Sequence, residues 1–459
     1  MKRPNILILY TDQQRWDALG ANGNPEILTP HLDRLAAQSV SFDNCFVQNP
    51  VCMPSRISFL TGQYPSQLGI THMGVPVPED TPTLPRLLGG SGYFCANIGK
   101  LHFLPHSNRD HRLPHPDYGF DYLAVSDEPG CYEDAYRAWV RRIAPEELGN
   151  LSPGLPPAAA VWQDTMGICD GIQHPIDRLP MKAVPFAGRS DLSHSAFVGE
   201  TTREFLATPP PQPFLCIAGF YSPHDPWIVS NEYLNKYDPS NLTLSQTLDE
   251  ETFNGVNNHR SIKHGYYAMV SEVDQQVGGI LAALERSGQA DNTIIIFTSD
   301  HGEWLGLRGK YGKGYPGDDS VSRVPLLIRF PSSYNIPPRR MSQIVEAVDV
   351  LPTLLEASGT QIPPFVQGTS LLELIRRGSH SKNTALMEGT GWKSLRTESH
   401  RYIVHADGTE RLFDLFTDPE EENDIHATEA GQRNLGEVRK LMLQRCLMAE
   451  RPRARIWPY

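Results

Sequence analysis

Thr293-Ile294-Ile295-Ile296-Phe297-Thr298-Ser299-Asp300-His301-Gly302 is the stretch on which the fold class turns. Its first half is an unbroken apolar, β-branched run without alternation, as a strand covered on both faces requires. Its second half changes at once to residues that ligate metals or titrate. The N-terminus repeats the design: Asn5-Ile6-Leu7-Ile8-Leu9-Tyr10 runs into Thr11-Asp12-Gln13-Gln14. Phe94–Ile98, Phe214–Phe220 and Leu326–Phe330 are further strand candidates. Helical patterns lie between them. Thr29-Pro30 reads as N-cap and first helical residue, with Leu32, Leu35 and Ala36 on one face. The clearest helix runs from about Ile262 to Arg286, with Met269, Val270, Val273, Val277, Ile280, Leu281 and Leu284 at helical spacing. Strands alternating with helices predict an α/β fold with a mainly parallel sheet sandwiched by helices. Ligands of such sheets bind beyond the carboxyl ends of the strands. Asp12 and Asp300 are therefore expected on one edge.

Composition narrows the class. The chain has 459 residues, 39% of them apolar, with 37 Gly and 39 Pro, the mix of a loop-rich globular enzyme. A prior of about 150 residues per domain suggests three domains, although large α/β enzymes often break that rule. A formal net charge of −12 argues against nucleic acid as a partner. A small anionic substrate answers to local charge instead. The seven cysteines, Cys45, Cys52, Cys95, Cys131, Cys169, Cys216 and Cys446, include no Cys-x-x-Cys pair. Neither a disulfide framework nor a thiolate zinc site is expected, and most read as buried apolar fillers. The run Ile6–Tyr10 is too short for a signal-peptide core. No segment approaches the ~20 apolar residues of a membrane span. The expectation is no membrane partner and a cytoplasmic location for the chain as given, or a periplasmic or secreted one if a leader was trimmed. Oligomeric state is not legible.

From Leu104 to Pro185 the chain is rich in Pro, His, Gly and Trp and weakly periodic. Long loops of this kind are often functional, and this one is expected to shape a pocket. After Gly378 the character changes. Arg401–Ala406 and Arg411–Phe416 flank Asp407-Gly408-Thr409-Glu410 as a hairpin, and Leu435, Val438, Leu441 and Met442 mark an amphipathic helix. This predicts a catalytic domain over 1–378 and a small C-terminal antiparallel sheet plus helix over 379–459. Pro419 with Glu420–Glu422 reads as a solvated loop. No internal repeat is visible.

The chemistry centres on Cys52-Met53-Pro54-Ser55-Arg56, followed by Leu60-Thr61-Gly62. Read blandly, this is a buried Cys beside a turn Pro. Three other clusters stand beside it. Gly92-Tyr93 precedes Gly99-Lys100-Leu101-His102. Ser222-Pro223-His224-Asp225-Pro226 follows an apolar strand. Lys313, with Lys310 as its nearest rival, follows Asp300-His301 and precedes Arg323-Val324-Pro325-Leu326. Taken singly, strand-end acids cap loops, lysines sit on surfaces and histidines cap helices. Taken in order, these clusters resemble the type I (formylglycine-dependent) sulfatases of the alkaline-phosphatase-like superfamily. Gly119-Phe120-Asp121, Asp349-Val350-Leu351-Pro352-Thr353, and Leu412-Phe413-Asp414-Leu415 with Asp418-Pro419 are weaker echoes of the same family. Two departures stand out: Gln13 and His301 occupy positions where many members have Asp and Asn.

The resemblance implies an alkaline-phosphatase-like fold and a sulfuric ester hydrolase acting on aryl or carbohydrate sulfate monoesters. It implies that a formylglycine-generating maturation enzyme oxidises Cys52 to formylglycine (3-oxoalanine), whose hydrate attacks the ester. It implies one divalent metal held by Asp12, Gln13, Cys52, Asp300 and His301. Ca2+ is the first choice for an oxygen-rich site, with Mg2+ or Mn2+ kept open by the softer His301. Among the catalytic residues, Arg56 fixes the formylglycine, Lys100 and Lys313 neutralise sulfate, His102 takes the second diol proton, and His224 binds sulfate or protonates the leaving oxygen. Tyr221, Trp227, Trp304, Arg308 and Tyr315 are subsite candidates, or core residues. Two other readings stay open. One is a phosphonate monoester or phosphodiester hydrolase of the same superfamily, which the Lys100-Leu101-His102 element fits less well. The other is a non-catalytic protein that binds sulfated glycans with Cys52 left as a thiol.

Overall fold

In the computed structural model the described residues are 3–450, apart from 107–109, 112, 168–170, 176–180, 246–255, 316 and 379–381. Strands in chain order are β1 (Asn5–Thr11), β2 (Val40–Phe46), β3 (Phe94–Gly99), β4 (Tyr122–Val125), β5 (Val184–Pro185), β6 (Phe214–Gly219), β7 (Ile228–Val229), β8 (Thr293–Ser299), β9 (Arg323–Arg329), β10 (Arg339–Glu346), β11 (Ala385–Gly389), β12 (Trp392–Arg396), β13 (His400–His405) and β14 (Glu410–Asp414). Eight of them form one sheet in the order β10-β2-β9-β8-β1-β6-β3-β4. Every neighbouring pair is parallel except those of β9, which runs antiparallel to both β8 and β2. The mainly parallel sheet is as expected; the reversed strand was not foreseen.

The two apolar runs pair directly. β1 and β8 are parallel and in register, with Tyr10 opposite Thr298 and Thr11 opposite Ser299. All residues of both strands are buried. Side chains alternate between two cores, as the pleat demands. Ile6, Ile8 and Tyr10 face the layer with the helices Cys52–Thr61 and Val350–Ser358. Leu7 and Leu9 face the layer with the helices Pro30–Ala37, His194–Ala207 and Val256–Arg286. The last of these begins six residues before the periodic signal at Ile262. β2 and β10 escaped the sequence reading. β2 carries Asp43 and Asn44 in its middle, and β10 is an edge strand opening on Arg339-Arg340, so neither is an apolar run. Within the Leu104–Pro185 segment lie β4 and the helices Ala135–Ile143 and Pro157–Met166. That segment is therefore more ordered than its composition suggested.

The tail forms a four-stranded antiparallel sheet, β11-β12-β13-β14, packed under the helix Glu429–Ala449. Leu386, Leu395, Tyr402 and Leu412 on one sheet face meet Leu435, Val438 and Met442 of the helix. The expected boundary after residue 378 falls on 379–381, outside the described residues. One reading is corrected: Glu421 is not solvated. It is buried, with φ +57°, and accepts from Arg401 Nε at 2.7 Å. A fully buried Arg on a strand needs a carboxylate, and the loop turns inward to supply one. Five cysteines other than Cys52 were expected to fill apolar space and lie among the described residues. Of these, Cys45, Cys95, Cys131 and Cys216 are buried and Cys446 is partly exposed. Among the described residues no helix is long and apolar enough to cross a membrane.

Glu346 joins tail to sheet. It ends β10 with no solvent exposure. It accepts from Lys382 Nζ at 2.8 Å, Arg445 Nη2 at 2.6 Å, Tyr64 Oη at 2.8 Å and the Leu386 amide at 2.9 Å. Burial would raise its pKa, but Arg445 and Lys382 outweigh burial and hold it at about 2, below the ordinary 4.5. Glu346→Ala leaves buried Arg445 without its carboxylate and strips Lys382 of one of its two, Asp349 remaining, and should cost on the order of 3–5 kcal/mol. Urea unfolding at pH 7 measures this loss. A folded pKa below the unfolded one gives stability that is present above pH 4.5 and lost as pH falls toward 2. The gap between wild type and variant should therefore close over that window.

Candidate active site

Four adjacent strands deliver the site from one sheet edge. β8 ends in Asp300-His301, β1 in Asp12-Gln13, β6 leads through Phe220-Tyr221 to His224, and β3 ends at Gly99 before Lys100. Gly99 sits opposite Gly219 in the ladder. A Cβ on Gly99 would strike the Gly219 carbonyl, and one on Gly219 would strike the Lys100 backbone. Only glycines let these two strand ends close together, which sets Lys100 beside β1. The helix Cys52–Thr61 enters from one face and brings Cys52 and Arg56, each 1% exposed.

Asp12, Cys52, Asp300 and His301 converge, with one ligand atom from each lying within 4.8 Å of the others. His301 Nδ1 faces the Gly302 carbonyl at 2.8 Å and therefore carries the proton. Its Nε2 then presents a lone pair 3.5 Å from Asp12 Oδ1, 3.6 Å from Asp300 Oδ1 and 3.2 Å from Cys52 Sγ. Burial holds the imidazole below its ordinary pKa. The Gln13 backbone amide donates to Asp300 Oδ1 at 3.0 Å and the Cys52 thiol reaches Asp12 Oδ1 at 3.7 Å, but the lone pair and the two carboxylates outnumber these donors, an excess of acceptors that a cation would satisfy. The donor set, two carboxylates and one imidazole beside the Gln13 amide, fits a divalent metal.

Protein cations surround the same acids. Arg56 Nε donates to Asp300 Oδ2 at 2.7 Å, its Nη2 lies 3.5 Å from Asp12 Oδ2, and its Nη1 donates to the Lys100 carbonyl at 3.2 Å. Arg56 thus braces the carboxylate pair as well as lying beside Cys52. Lys100 Nζ lies 2.8 Å from Asp12 Oδ2, an ionic contact out of line for a hydrogen bond, and 4.6 Å over the Tyr221 ring. Burial would raise the Asp12 carboxyl, but Lys100, His224, Lys313 and Arg56 together hold it well below its usual range.

Lys313, not Lys310, reaches the centre. Its Nζ lies 2.9 Å from Cys52 Sγ and 3.0 Å from Gln13 Oε1, and it donates to His224 Nε2. Burial opposes its charge, while Cys52, Asp12 and Asp225 raise its pKa above the ordinary value. Lys310 instead lies 5.2 Å over Trp304. His224 Nδ1 lies 3.4 Å from Asp225 Oδ1. His102 is 2% exposed, and neither ring nitrogen has a hydrogen-bond partner among the described residues. Burial and then Lys100 hold it well below the usual histidine pKa, so it is neutral.

Two contributors were missed. Asp127 Oδ1 accepts the amides of Leu101 at 2.9 Å and His102 at 2.8 Å, fixing the turn at His102, whose φ is +56°. It stands 25 residues from His102, and no local signal marks it. Glu303 was visible three residues after Asp300. Its carboxylate accepts from the amides of Leu305 at 3.1 Å and Gly312, and from Gln13 Nε2. Burial and then Asp225 push its pKa up to about 7. Of the subsite candidates, Tyr221, Trp227 and Trp304 are buried, and Trp304 Nε1 donates to Asp318 at 2.9 Å. Arg308 pairs with Asp318, and Tyr315 is exposed.

The sulfatase family model matches residues 4–360, and the model of the N-sulphoglucosamine sulphohydrolase C-terminal region matches residues 306–447. The chain is 28% identical to the ulvan-active sulfatase of Formosa agariphila, over 92% of this chain and 77% of that protein. It is 28% identical to the arylsulfatase of Clostridium perfringens, over 96% of this chain and 94% of that one. Its fold is similar to the phosphonate monoester hydrolase of Agrobacterium radiobacter, with TM-score 0.79, 24% identity and coverage of 97% and 96%.

Glu303→Gln should loosen the loop that carries Lys313. Partners that orient such groups typically matter by 10–100-fold, so kcat/KM should fall by roughly tenfold or more while the melting temperature changes little. Unchanged steady-state kinetics in a folded variant would contradict this role.

Proposed function

The chain belongs to the sulfatase family, and from that premise we propose that it hydrolyses aryl or carbohydrate sulfate monoesters at the pocket around Cys52. The observation that carries the reading is the convergence on Cys52 of Lys313 at 2.9 Å and of the Asp12–Asp300 pair braced by Arg56 and Lys100. A sulfate ester is an anion, and its hydrolysis needs fixed positive charge around a placed nucleophile.

Cys52 as formylglycine supplies a hydrated aldehyde as nucleophile, and a divalent metal on Asp12, Gln13, Asp300 and His301 supplies Lewis acidity. The maturation enzyme that makes formylglycine is the partner this reading requires. Lys100 and Lys313 bind the sulfate oxygens and balance the charge that builds during attack. Neutral His102, its nitrogens unspent, accepts a proton from the Cys52-derived hydroxyl. His224, oriented by Asp225 beside Nδ1, protonates the departing oxygen through Nε2 once the substrate has drawn Lys313 to the sulfate. Calcium is the proposed ion, with magnesium and manganese the alternatives that His301 leaves open.

The direct test compares a sulfate and a phosphonate ester carrying the same phenolic leaving group. Faster turnover of the sulfate supports the proposal; faster turnover of the phosphonate would transfer the chain to the phosphonate hydrolase reading. Chelation should abolish activity, and elemental analysis of active enzyme should find one divalent ion per chain. Active, metal-free protein would contradict the metal assignment. His224→Ala should slow poor alcohol leaving groups more than activated phenols, because the latter need less protonation. Equal slowing across leaving groups would reduce His224 to a sulfate contact.

A further inference from the structure

The C-terminal sheet presents a second face that the catalytic roles leave unused. Trp392 lies opposite His405 in the β12–β13 ladder, and Ile403 lies opposite Arg411 in the β13–β14 ladder. Residues two apart on a strand share a face. Trp392, His405 and Arg411 therefore stand together, on the side away from the helix Glu429–Ala449. This face is clamped to the loop carrying the site. Arg401 and Arg396 on it both pair with Asp319, the latter through Nε at 3.0 Å. Glu388 N donates to the Gln48 carbonyl at 2.8 Å, four residues before Cys52.

At the meeting line sits Tyr315, two residues after Lys313. Its ring centroid is 5.4 Å from Trp392 and 4.9 Å from His405, to which its hydroxyl is hydrogen-bonded. A Cβ on Gly317 would stand 3.5 Å from Trp392 and 3.6 Å from Pro50, so the indole is within a side chain's reach of the segment entering Cys52. Two exposed cations complete the wall. Arg411 and Lys310 have no ion-pair partner among the described residues. Arg411 shares the sheet face of His405 and Trp392, and Lys310, three residues before Lys313, lies 5.2 Å over the Trp304 ring. The nearby Asp318 is already engaged by Trp304 and Arg308. Two exposed like charges without an ion-pair partner beside an anion-hydrolysing pocket would attract an anionic ligand.

Resting on the sulfatase reading, we propose that Trp392, Tyr315 and His405 with Arg411 and Lys310 form a leaving-group subsite that selects a saccharide bearing a second anionic group, carboxylate or sulfate. The aromatic faces receive the C–H face of a pyranose ring, and the Tyr315 hydroxyl and His405 imidazole meet its hydroxyls. Arg411 offers a planar fork to the second anion, and Lys310 a point charge.

The test measures kcat/KM on three sulfate esters: an aryl sulfate, a monosulfated neutral sugar, and a sulfated disaccharide carrying a second anion as uronate or as sulfate. In wild type the disaccharide should be favoured, and the preference should fall with added salt because rim charges are screened. In Lys310→Gln/Arg411→Gln the ratio of disaccharide to neutral sugar should drop by about tenfold, the combined worth of two exposed pairs. Uronate and sulfate versions of the disaccharide show which anion is preferred. Trp392→Phe should lower both sugars relative to the aryl ester. Both charge substitutions are at exposed positions, which keeps the test independent of folding. A double variant with unchanged ratios overturns the subsite while leaving the sulfatase reading intact. Wild type inert toward all three esters overturns that reading and the subsite with it.

Discussion

Two buried carboxylates, Asp12 and Asp300, are the constraint around which the protein is arranged. They leave neighbouring parallel strands one residue beyond the Thr11–Ser299 pair, so sheet register alone brings them together. Neither is exposed to solvent. Like charges so placed are tolerated only with cations nearby. Arg56 bridges both, Lys100 faces Asp12, and the His301 lone pair marks where a further cation belongs. Each of these groups comes from a different element, and so the sheet, the Cys52 helix and the Gly99–Gly219 crossing are all committed to one point.

The loop from Gly302 to Ser322 shows how that commitment spreads. On one side Glu303 ties it to Gln13 and sets the approach of Lys313 to Cys52. On the other, Asp318 holds Trp304 and Arg308, while Asp319 holds Arg396 and Arg401 of the C-terminal sheet. The sheet in turn is anchored through Glu346 to the end of β10. The small C-terminal sheet is therefore tied to the loop that carries Lys313.

Most of the centre was legible in the sequence because its residues sit directly at strand ends. An apolar run followed by Asp-Gln or Asp-His announces both strand and site; the Cys-x-Pro-Ser-Arg stretch announces the chemistry but reads as a turn, not as the helix Cys52–Thr61 that it opens. What escaped depended on contacts that leave no local trace. β2 and β10 lack apolar runs. The inward turn of Glu421 exists only because Arg401 is buried. Asp127 holds the His102 turn from 25 residues away. Lys313 had Lys310 as a rival in a Gly-rich loop, and the contact of Lys313 with Cys52 separates them. The face shared by Trp392 and Arg411 follows from strand register, which separate hairpin signals do not state.

The central claim is that Cys52 carries the nucleophile only after conversion to an aldehyde. The most direct measurement is mass spectrometry of the Cys52 peptide across preparations made with and without the maturation enzyme, paired with sulfate-ester turnover on the same samples. The account predicts that turnover per chain rises in proportion to the formylglycine fraction and vanishes where the peptide is wholly thiol. Full turnover by protein whose Cys52 is an unmodified thiol would contradict it.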